Sequence, residues 1–335
     1  MNPILSIKNL AVSFPKPQGE LTALRNVSLD LYPQETLAIV GESGSGKSIL
    51  CKSAMGLLPS PAVLKSGSIY LNNLNITQLT EHQLQKIRGK LCSMIFQDPM
   101  LSLNPVISVG EQLVEAILAH EKITYTKAKR KAIELMSLVN IDFAEDRFHL
   151  KPHCFSGGML QRLVIAIAIA QKPKILFADE PTTALDASTK LQTLDLLMQL
   201  KTKLNMSIVF ISHDLGTIAK IADKVAIMYA GKIIEFGLAT DIFYHPAHPY
   251  TRALLSAQPS LNTEKKRLDT LPGMPPIMIN LPKGDAFAPR NQYALNIDYI
   301  EHPPFYDLSP THKVASWLYD DNAPKILPQW ELIKD

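Results

Sequence analysis

The sequence predicts an α/β fold: buried strands and helices around a phosphate-binding loop, a small antiparallel sheet ahead of it, a helical insertion and a Pro-rich C-terminal tail. Three observations carry its core. Residues 41–48 read Gly-Glu-Ser-Gly-Ser-Gly-Lys-Ser between an apolar run, Leu37-Ala38-Ile39-Val40, and a helix-like stretch from Ile49 to Met55, the strand–loop–helix setting of a phosphate-binding loop. Further apolar runs, Leu91 to Phe96, Ile175 to Ala178 and Ser207 to Ile211, read as buried strands, each followed by polar residues. Between Val109 and Val139 the apolar period turns helical, with Leu113, Ile117, Ala132, Leu135, Met136 and Val139 on apolar faces and charges between them.

In chain order, Leu5 to Phe14 and Leu21 to Leu31 alternate loosely around a Pro/Gly-rich gap and read as paired antiparallel strands. Phe14, at the end of the first, has two readings: a stack on an adenine ring, or a core or edge aromatic. In the loop that follows, Gly41, Gly44 and Gly46 permit backbone angles a side chain forbids, so the N–H groups of the loop, Glu42, Ser43 and Ser45 included, can turn inward around an anion. The next helix adds its positive N-terminal end, Lys47 a full charge for the β- and γ-phosphates, and Ser48 a hydroxyl for Mg²⁺.

Pro59 to Gly67 reads as a turn region and Ser68 to Leu71 as a strand. Gln97 closes the strand from Leu91 and by itself is a polar cap. Ser156-Gly157-Gly158-Met159-Leu160-Gln161 precedes an apolar helix, Leu163 to Ala170; two glycines at a helix start leave N–H groups free for an anion, although Ser-Gly-Gly is also an ordinary loop. Asp179-Glu180 is the stronger signal, because adjacent carboxylates at the end of an apolar strand are costly at the edge of a low-dielectric core. They fit Asp179 on Mg²⁺ and Glu180 orienting or deprotonating a water, with helix capping as the alternative. After Thr182 to Asp186 a helix spans Ala187 to Leu204. His213 closes the strand from Ser207, and a lone His there carries no assignment without its company. Lys224 to Tyr229 and Lys232 to Phe236 read as a hairpin around Ala230-Gly231.

Composition narrows the classes. With 335 residues and 46% hydrophobic content the chain can bury a large core or two. A net charge of +3 from 34 basic and 31 acidic residues, spread along the chain, gives no basic block, so no nucleic-acid partner is expected. Cys51, Cys92 and Cys154 lie far apart and read as buried thiols of a reducing compartment. The N-terminus lacks a signal-peptide pattern, and the longest apolar run, Leu163 to Ala170, is too short to span a bilayer, so membrane association is expected to go through partner proteins.

In this order the motifs resemble the ATPase subunit of ABC transporters. Walker A is Gly41 to Ser48, the Q-loop residue Gln97, the signature Ser156 to Gln161, Walker B Ile175 to Asp179 followed by Glu180, the D-loop Ala184-Leu185-Asp186 and the switch histidine His213. The resemblance implies a P-loop ABC-type ATPase core, a mixed sheet flanked by helices with an antiparallel β subdomain and a helical subdomain, and ATP and Mg²⁺ as cofactors. Lys47 and Ser48 would bind phosphate and metal, Gln97 would sense both, Asp179 would hold the metal, Glu180 would be the base and His213 would contact the γ-phosphate. It also implies a head-to-tail dimer in which Ser156, Gly157, Gly158 and Gln161 reach ATP held by the partner and Asp186 lies at the seam.

Phe96 to Pro105, His248 to Leu255, Arg267 to Gly273 and Leu281 to Gly284 further resemble the oligopeptide/dipeptide (with nickel) branch of importers. That implies a nucleotide-binding domain over residues 1–244, its helical subdomain at about 105–170, and an extension over 245–335. The implied partners are a homologous ATPase subunit, two transmembrane permeases and an extracytoplasmic substrate-binding protein, with the chain peripheral at the cytoplasmic face of the membrane. The alternative, a soluble ABC-type ATPase acting on DNA or ribosomes, usually carries tandem ATPase domains, coiled coils or basic arms, and this sequence has no second Walker motif and no long heptad run. Many relatives carry four cysteines for an iron–sulfur cluster in the extension, where this chain has Asp285, Asn291, Asp298 and Ser316. Thiolates are the usual cluster ligands, so no cluster is expected, and the tail should be held by packing or by hydrogen bonds among these residues. Phe155, where leucine is usual before the signature, reads as a packing substitution.

Overall fold

The structure, a computed structural model, describes residues 2–183, 185–257, 271, 273–279, 281 and 283–324. Leu5–Lys16 (β1) and Gly19–Leu31 (β2) form an antiparallel pair whose turn is shorter than the sequence suggested, with Phe14 opposite Leu21. Thr36–Val40 (β3) runs into the phosphate loop and helix Lys47–Ala54 (α1). Val63–Leu71 (β4) and Leu74–Asn75 (β5) complete a four-stranded sheet of order β2-β1-β4-β5. The strand β4 therefore starts within the stretch expected to be a turn. Gly67, read as a turn glycine, sits inside β4 at φ 95°, where a Cβ would come within 2.6 Å of the backbone of Lys8, Asn9 and Leu10. The pairing with β1 shifts register between Lys8 and Ala11, so this glycine serves a bulge.

Glu81–Ile87 (α2) leads to Cys92–Ile95 (β6), and Pro99–Ser102 (α3) follows. The helical insertion is built from Val109–Leu118 (α4), Tyr125–Leu138 (α5), Ala144–Arg147 (α6) and Gly157–Ile169 (α7). Leu113, Ile117, Ala132, Met136 and Val139 are all buried in one cluster with Phe148, Phe155 and Leu160, and Leu135 packs against its edge. Ile175–Asp179 (β7), Ala187–Leu204 (α8), Ser207–Ile211 (β8), Leu215–Ile221 (α9), Lys224–Tyr229 (β9) and Lys232–Leu238 (β10) finish the core. The hairpin between β9 and β10 turns on Ala230 and Gly231, both at positive φ as a two-residue turn requires.

Ala239–Tyr244 (α10) and Pro249–Ser256 (α11) pass into the C-terminal region, which returns two strands, Phe305–Asp307 (β11) and Lys313–Ala315 (β12), to the edge of the core sheet. The sheet has eight strands in the order β11-β12-β10-β9-β3-β8-β7-β6. Strands β9, β3, β8, β7 and β6 are mutually parallel and the other three antiparallel, which makes the sheet mixed. Parallel strands put their carboxyl ends on one edge, and that edge carries the loops of interest. Phe287 and Ala286 from the extension share a core with Val40, Ile227 and Tyr250. Tyr250 and Phe287 meet edge to face at 5.5 Å.

Of the four residues at the cluster-cysteine positions, Asp285 and Asp298 bond one another through the backbone, Asp285 N donating to Asp298 O at 2.7 Å, while the side-chain hydrogen bonds are local. Asp285, Asp298 and Ser316 are buried. Asp285 Oδ1 accepts from Phe287 N at 3.1 Å, Asn291 Oδ1 from Tyr293 N at 3.0 Å, Asp298 Oδ2 from Leu295 N at 2.6 Å and Ser316 Oγ from Leu318 N at 3.4 Å. Each holds its own turn, because a short polar side chain reaches a nearby N–H more readily than a distant partner. A purified sample is expected to contain neither iron nor sulfide in stoichiometric amount, which elemental and labile-sulfide assays would check. Arg267 to Thr270, and Pro272 and Pro282, from the extension's motifs, lie outside the described residues.

Burial pushes the Asp285 carboxyl up to about 6 from an ordinary 3.8, against the pull of the Phe287 N–H. A raised carboxyl binds its proton more tightly folded than unfolded, so its stabilising contribution is full below pH 3.8 and is lost as pH rises through about 6. Asp285→Asn, which keeps the acceptor oxygen, is expected to flatten the fall in melting temperature over that interval. An unchanged slope would show that Asp285 ionises freely.

The cysteine expectation needs one correction. Cys51 and Cys92 are buried, and burial raises both thiols, Cys92 to about 12. Cys154 is exposed, because the short turn ahead of α7 carries it on the surface.

Candidate nucleotide site

Because β3, β6, β7 and β8 run parallel, the loops after Val40, Ile95, Asp179 and Ile211 converge. The cleft they border holds about 430 Å³ and is lined by Phe14, Ser43, Gly44, Gly46, Lys47, Ser48, Gln97 and Glu180, together with Leu21, Ala23, Ile49 and Met278. Phe14 is half-buried, on the wall of this cleft and packed against the neighbouring hydrophobic core, a position compatible with both of its readings.

The loop is preset. Gly46 sits at φ 104°, and a Cβ there would meet Ala23 O at 2.6 Å. Lys47 is buried and donates from Nζ to Gly41 O at 2.7 Å and Glu42 O at 2.9 Å. Burial lowers its pKa, opposed by the charges of Glu180, Asp179 and Glu42. A positive group held this way is placed before a phosphate arrives. Ser48 Oγ donates to Asp179 Oδ1 at 3.0 Å. Burial raises the Asp179 carboxyl and the Ser48 hydrogen bond lowers it.

Glu180 is the centre of the edge. Its φ of 48° is left-handed, a strained state for a residue with a side chain, and its N–H donates to Ile211 O at 3.0 Å. Oε2 accepts from Gln97 Nε2 at 3.0 Å and from Thr183 Oγ1 at 3.1 Å, and lies 3.5 Å from His213 Nδ1. None of the described hydrogen bonds uses Oε1. The carboxylate is therefore oriented through Oε2.

Sequence reading missed Thr183, whose type carries no signal beside Asp179-Glu180. It also missed contacts that the extension makes with the loop and with β2 beside it. Arg290 pairs with Glu42 through two hydrogen bonds, Nη1 to Oε2 at 2.7 Å and Nη2 to Oε1 at 2.9 Å, and reaches Tyr229 OH at 3.2 Å. Glu42 N donates to Tyr250 OH at 2.8 Å. Met278 O accepts from Thr22 N at 2.9 Å, bringing its side chain to the cleft. None of these pairs has a local sequence pattern, since their partners lie from 61 to more than 200 positions apart.

The remaining expected residues are elsewhere. Ser156 caps α7 by accepting from Met159 N, and Asp186 caps α8 by accepting from Ser188 N and Thr189 N at 3.0 Å each. Neither they nor Gly157 and Gly158 line the cleft. Gly158 has an internal reason to be glycine, since a Cβ would meet Thr189 Cγ2 of α8 at 2.4 Å, whereas a Cβ on Gly157 would meet nothing within 4 Å. Gln161 is a correction: it is 1% exposed, turned into the core by the helical period of α7, and cannot reach a nucleotide held outside the chain. Ala184 of the D-loop lies outside the described residues.

Comparison with known proteins agrees with this geometry. A family profile described as "ABC transporter" matches residues 24–183, and one described as "Oligopeptide/dipeptide transporter, C-terminal region" matches 234–297. The dipeptide transport ATP-binding protein DppD of Lactococcus lactis is 48% identical over 99% of this chain and 98% of its own. The chain is an ATPase subunit of the ABC transporter family. Within that family it belongs to the oligopeptide/dipeptide branch, as a second relative also shows: the oligopeptide transport ATP-binding protein OppD of Bacillus subtilis, 50% identical over 97% of this chain and 91% of its own. Among solved structures, the dimeric post-hydrolysis state of the ATP-binding cassette MJ0796 bound to ADP and Pi matches with a TM-score of 0.64 and 26% identity, over 70% of this chain and 98% of that one. The fold expected of this ABC ATPase, with mixed sheet, antiparallel β subdomain and helical subdomain, is the fold found. Among the described residues, no helix is long and apolar enough to cross a membrane.

Proposed function

We propose that this ATPase energises uptake of di- or oligopeptides, binding ATP in the cleft beside Lys47 and hydrolysing it with Glu180 as base. The observation that carries the chemistry is the Glu180 carboxylate, fixed through Oε2, on the same cleft as the preset Lys47 ammonium. Loop N–H groups and Lys47 hold the β- and γ-phosphates, and Gln97 and His213 border the γ-phosphate. Glu180 Oε1 takes a proton as a water oxygen attacks the γ-phosphorus; the bond to the bridging oxygen breaks, leaving ADP and phosphate. Ser48 and Asp179 fit a Mg²⁺ ion, since a hydroxyl and a carboxylate 3.0 Å apart are the hard oxygen donors that cation takes. When bound, the ion neutralises phosphate charge.

The second half of the site is proposed to come from another ATPase subunit. Gly157 supports this: its own chain gives no reason for a glycine, which suits close approach by a ligand from outside. The dimeric structural neighbour supports it too. Ser156 and Gly158 would present the α7 N-terminus to that ligand, with Asp186 at the seam. ATPase activity is then expected to rise more steeply than linearly with protein concentration, and high concentration-independent activity in a proven monomer would count against a shared site.

The proposed division is a nucleotide-binding domain over 1–244, helical subdomain at about 105–170, and an extension over 245–335. The proposed partners are a homologous ATPase, two permeases and an extracytoplasmic binding protein, with the chain peripheral at the cytoplasmic face. The branch names of the relatives support this. Affinity purification from membranes is expected to recover permeases; recovery of ribosomes or DNA instead would favour the soluble-ATPase reading.

A further inference from the structure

The cleft lining combines two chemistries: Lys47, Ser48, Gln97 and Glu180 are polar, and Phe14, Leu21, Ala23 and Met278 are apolar. Met278 is the member of this set contributed by the C-terminal extension. Its position is fixed by backbone rather than by side-chain accident. Thr22 N donates to Met278 O, and the next residue, Ile279, bridges Leu21 of β2 in antiparallel fashion. Leu21 is in turn opposite Phe14 of β1. Phe14 and the extension thus flank the same β2 residue, and both contribute an apolar side chain to the cleft lining.

Two further observations place this thioether. Its Cε lies over Gly231 of the β9–β10 turn, where a Cβ would come within 2.8 Å of Ala23 O and 3.2 Å of Met278 Cε. Met278 also borders a smaller pocket of about 90 Å³ with Ser43, Gly44, Ser45, Ala230, Pro275 and Pro276, so it stands as the ridge between that pocket and the cleft. A half-buried, unbranched, polarisable side chain at that place can follow the face of a planar ring.

We propose that Met278 is a nucleotide-binding residue which packs with Phe14 against the base and ribose of ATP, so that the C-terminal extension forms part of the ATP site. This rests on the cleft being the ATP site and adds a residue outside the Walker motifs. The contact is apolar and stabilises the nucleoside, not the phosphates. Losing it weakens ATP binding and leaves the affinity for a bare triphosphate chain unchanged.

The test is equilibrium binding by the full chain, by titration calorimetry, with ATP and with inorganic tripolyphosphate. Met278→Ala is expected to raise the Kd for ATP about fivefold, the share of a partly buried apolar side chain, and to leave tripolyphosphate binding as in the wild type. Met278→Leu, of similar volume, is expected to stay near wild type. Wild-type ATP affinity in Met278→Ala overturns the proposal. Equal weakening for both ligands also overturns it, since that is a loosened loop and not a base contact. The unmodified chain gives an independent reading. Peroxide oxidation of Met278 to its sulfoxide, followed by peptide mass spectrometry, is expected to slow when ATP is bound but not when tripolyphosphate is bound, and no protection by ATP overturns the proposal. Lys47→Ala separates the two levels: if it binds ATP as the wild type does, the cleft reading itself has failed, whatever Met278 does.

Discussion

Glu180→Gln is expected to bind ATP as the wild type does and to hydrolyse it about a hundredfold or more slowly, the usual share of a positioned general base. The substitution keeps the shape and an acceptor oxygen for Gln97 Nε2 and Thr183 Oγ1, so the neighbouring geometry is preserved while the basic carboxylate is lost. Left-handed backbone at Glu180 is maintained by its own N–H to Ile211 O, which the change does not touch. Single-turnover hydrolysis beside a binding titration separates the two effects. Turnover at the wild-type rate would remove Glu180 as the base and return it to a merely structural acceptor.

Arg290→Ala has the second largest expected effect, and it acts from the extension. Arg290 is buried beside Glu42, and the pair is bidentate. Its hydrogen bonds to Glu42 hold the guanidinium charge and raise its pKa further. Removing one partner of such a pair leaves the other charge uncompensated and costs about 3 kcal/mol of stability. The orphaned Glu42 carboxylate would lie in the loop that must receive a triphosphate, so ATP affinity is expected to fall about tenfold as well. Arg290→Lys should recover little, because a single ammonium nitrogen does not reproduce the planar fork that sets Nη1 and Nη2 each against one carboxylate oxygen. Adding Glu42→Gln to Arg290→Ala should restore part of the ATP affinity by removing the repulsive charge. Thermal melting and ATP binding both at wild-type values in Arg290→Ala would show that the clamp carries no weight.

Much of this protein was legible because its chemistry is local in sequence. A phosphate loop needs glycines, a lysine and a hydroxyl within eight positions, and Gly41 to Ser48 supplies them between a strand and a helix. Buried parallel strands are continuous apolar runs, so β3, β6, β7 and β8 could be read with little error. Gly67 was misread because a bulge glycine and a turn glycine look alike until the facing strand is known. Gln161 was misplaced because a motif gives spacing but not the direction a helix turns each side chain.

The sequence by itself determined the buried strands β3, β6, β7 and β8, the helical insertion and the phosphate loop, because each rests on periodicity or on contiguous residues, and its motifs carried the resemblance to the ABC family. The tertiary structure decided what gathers around the loop. It brought Gln97, Thr183 and His213 onto one oxygen of Glu180, returned β11 and β12 to the core sheet, and set Arg290, Tyr250 and Met278 against the phosphate loop and its cleft. The physical reason is range: helix and strand patterns repeat over a few residues, whereas a charge pair between positions 42 and 290 leaves no trace in either neighbourhood until the sheet closes the distance.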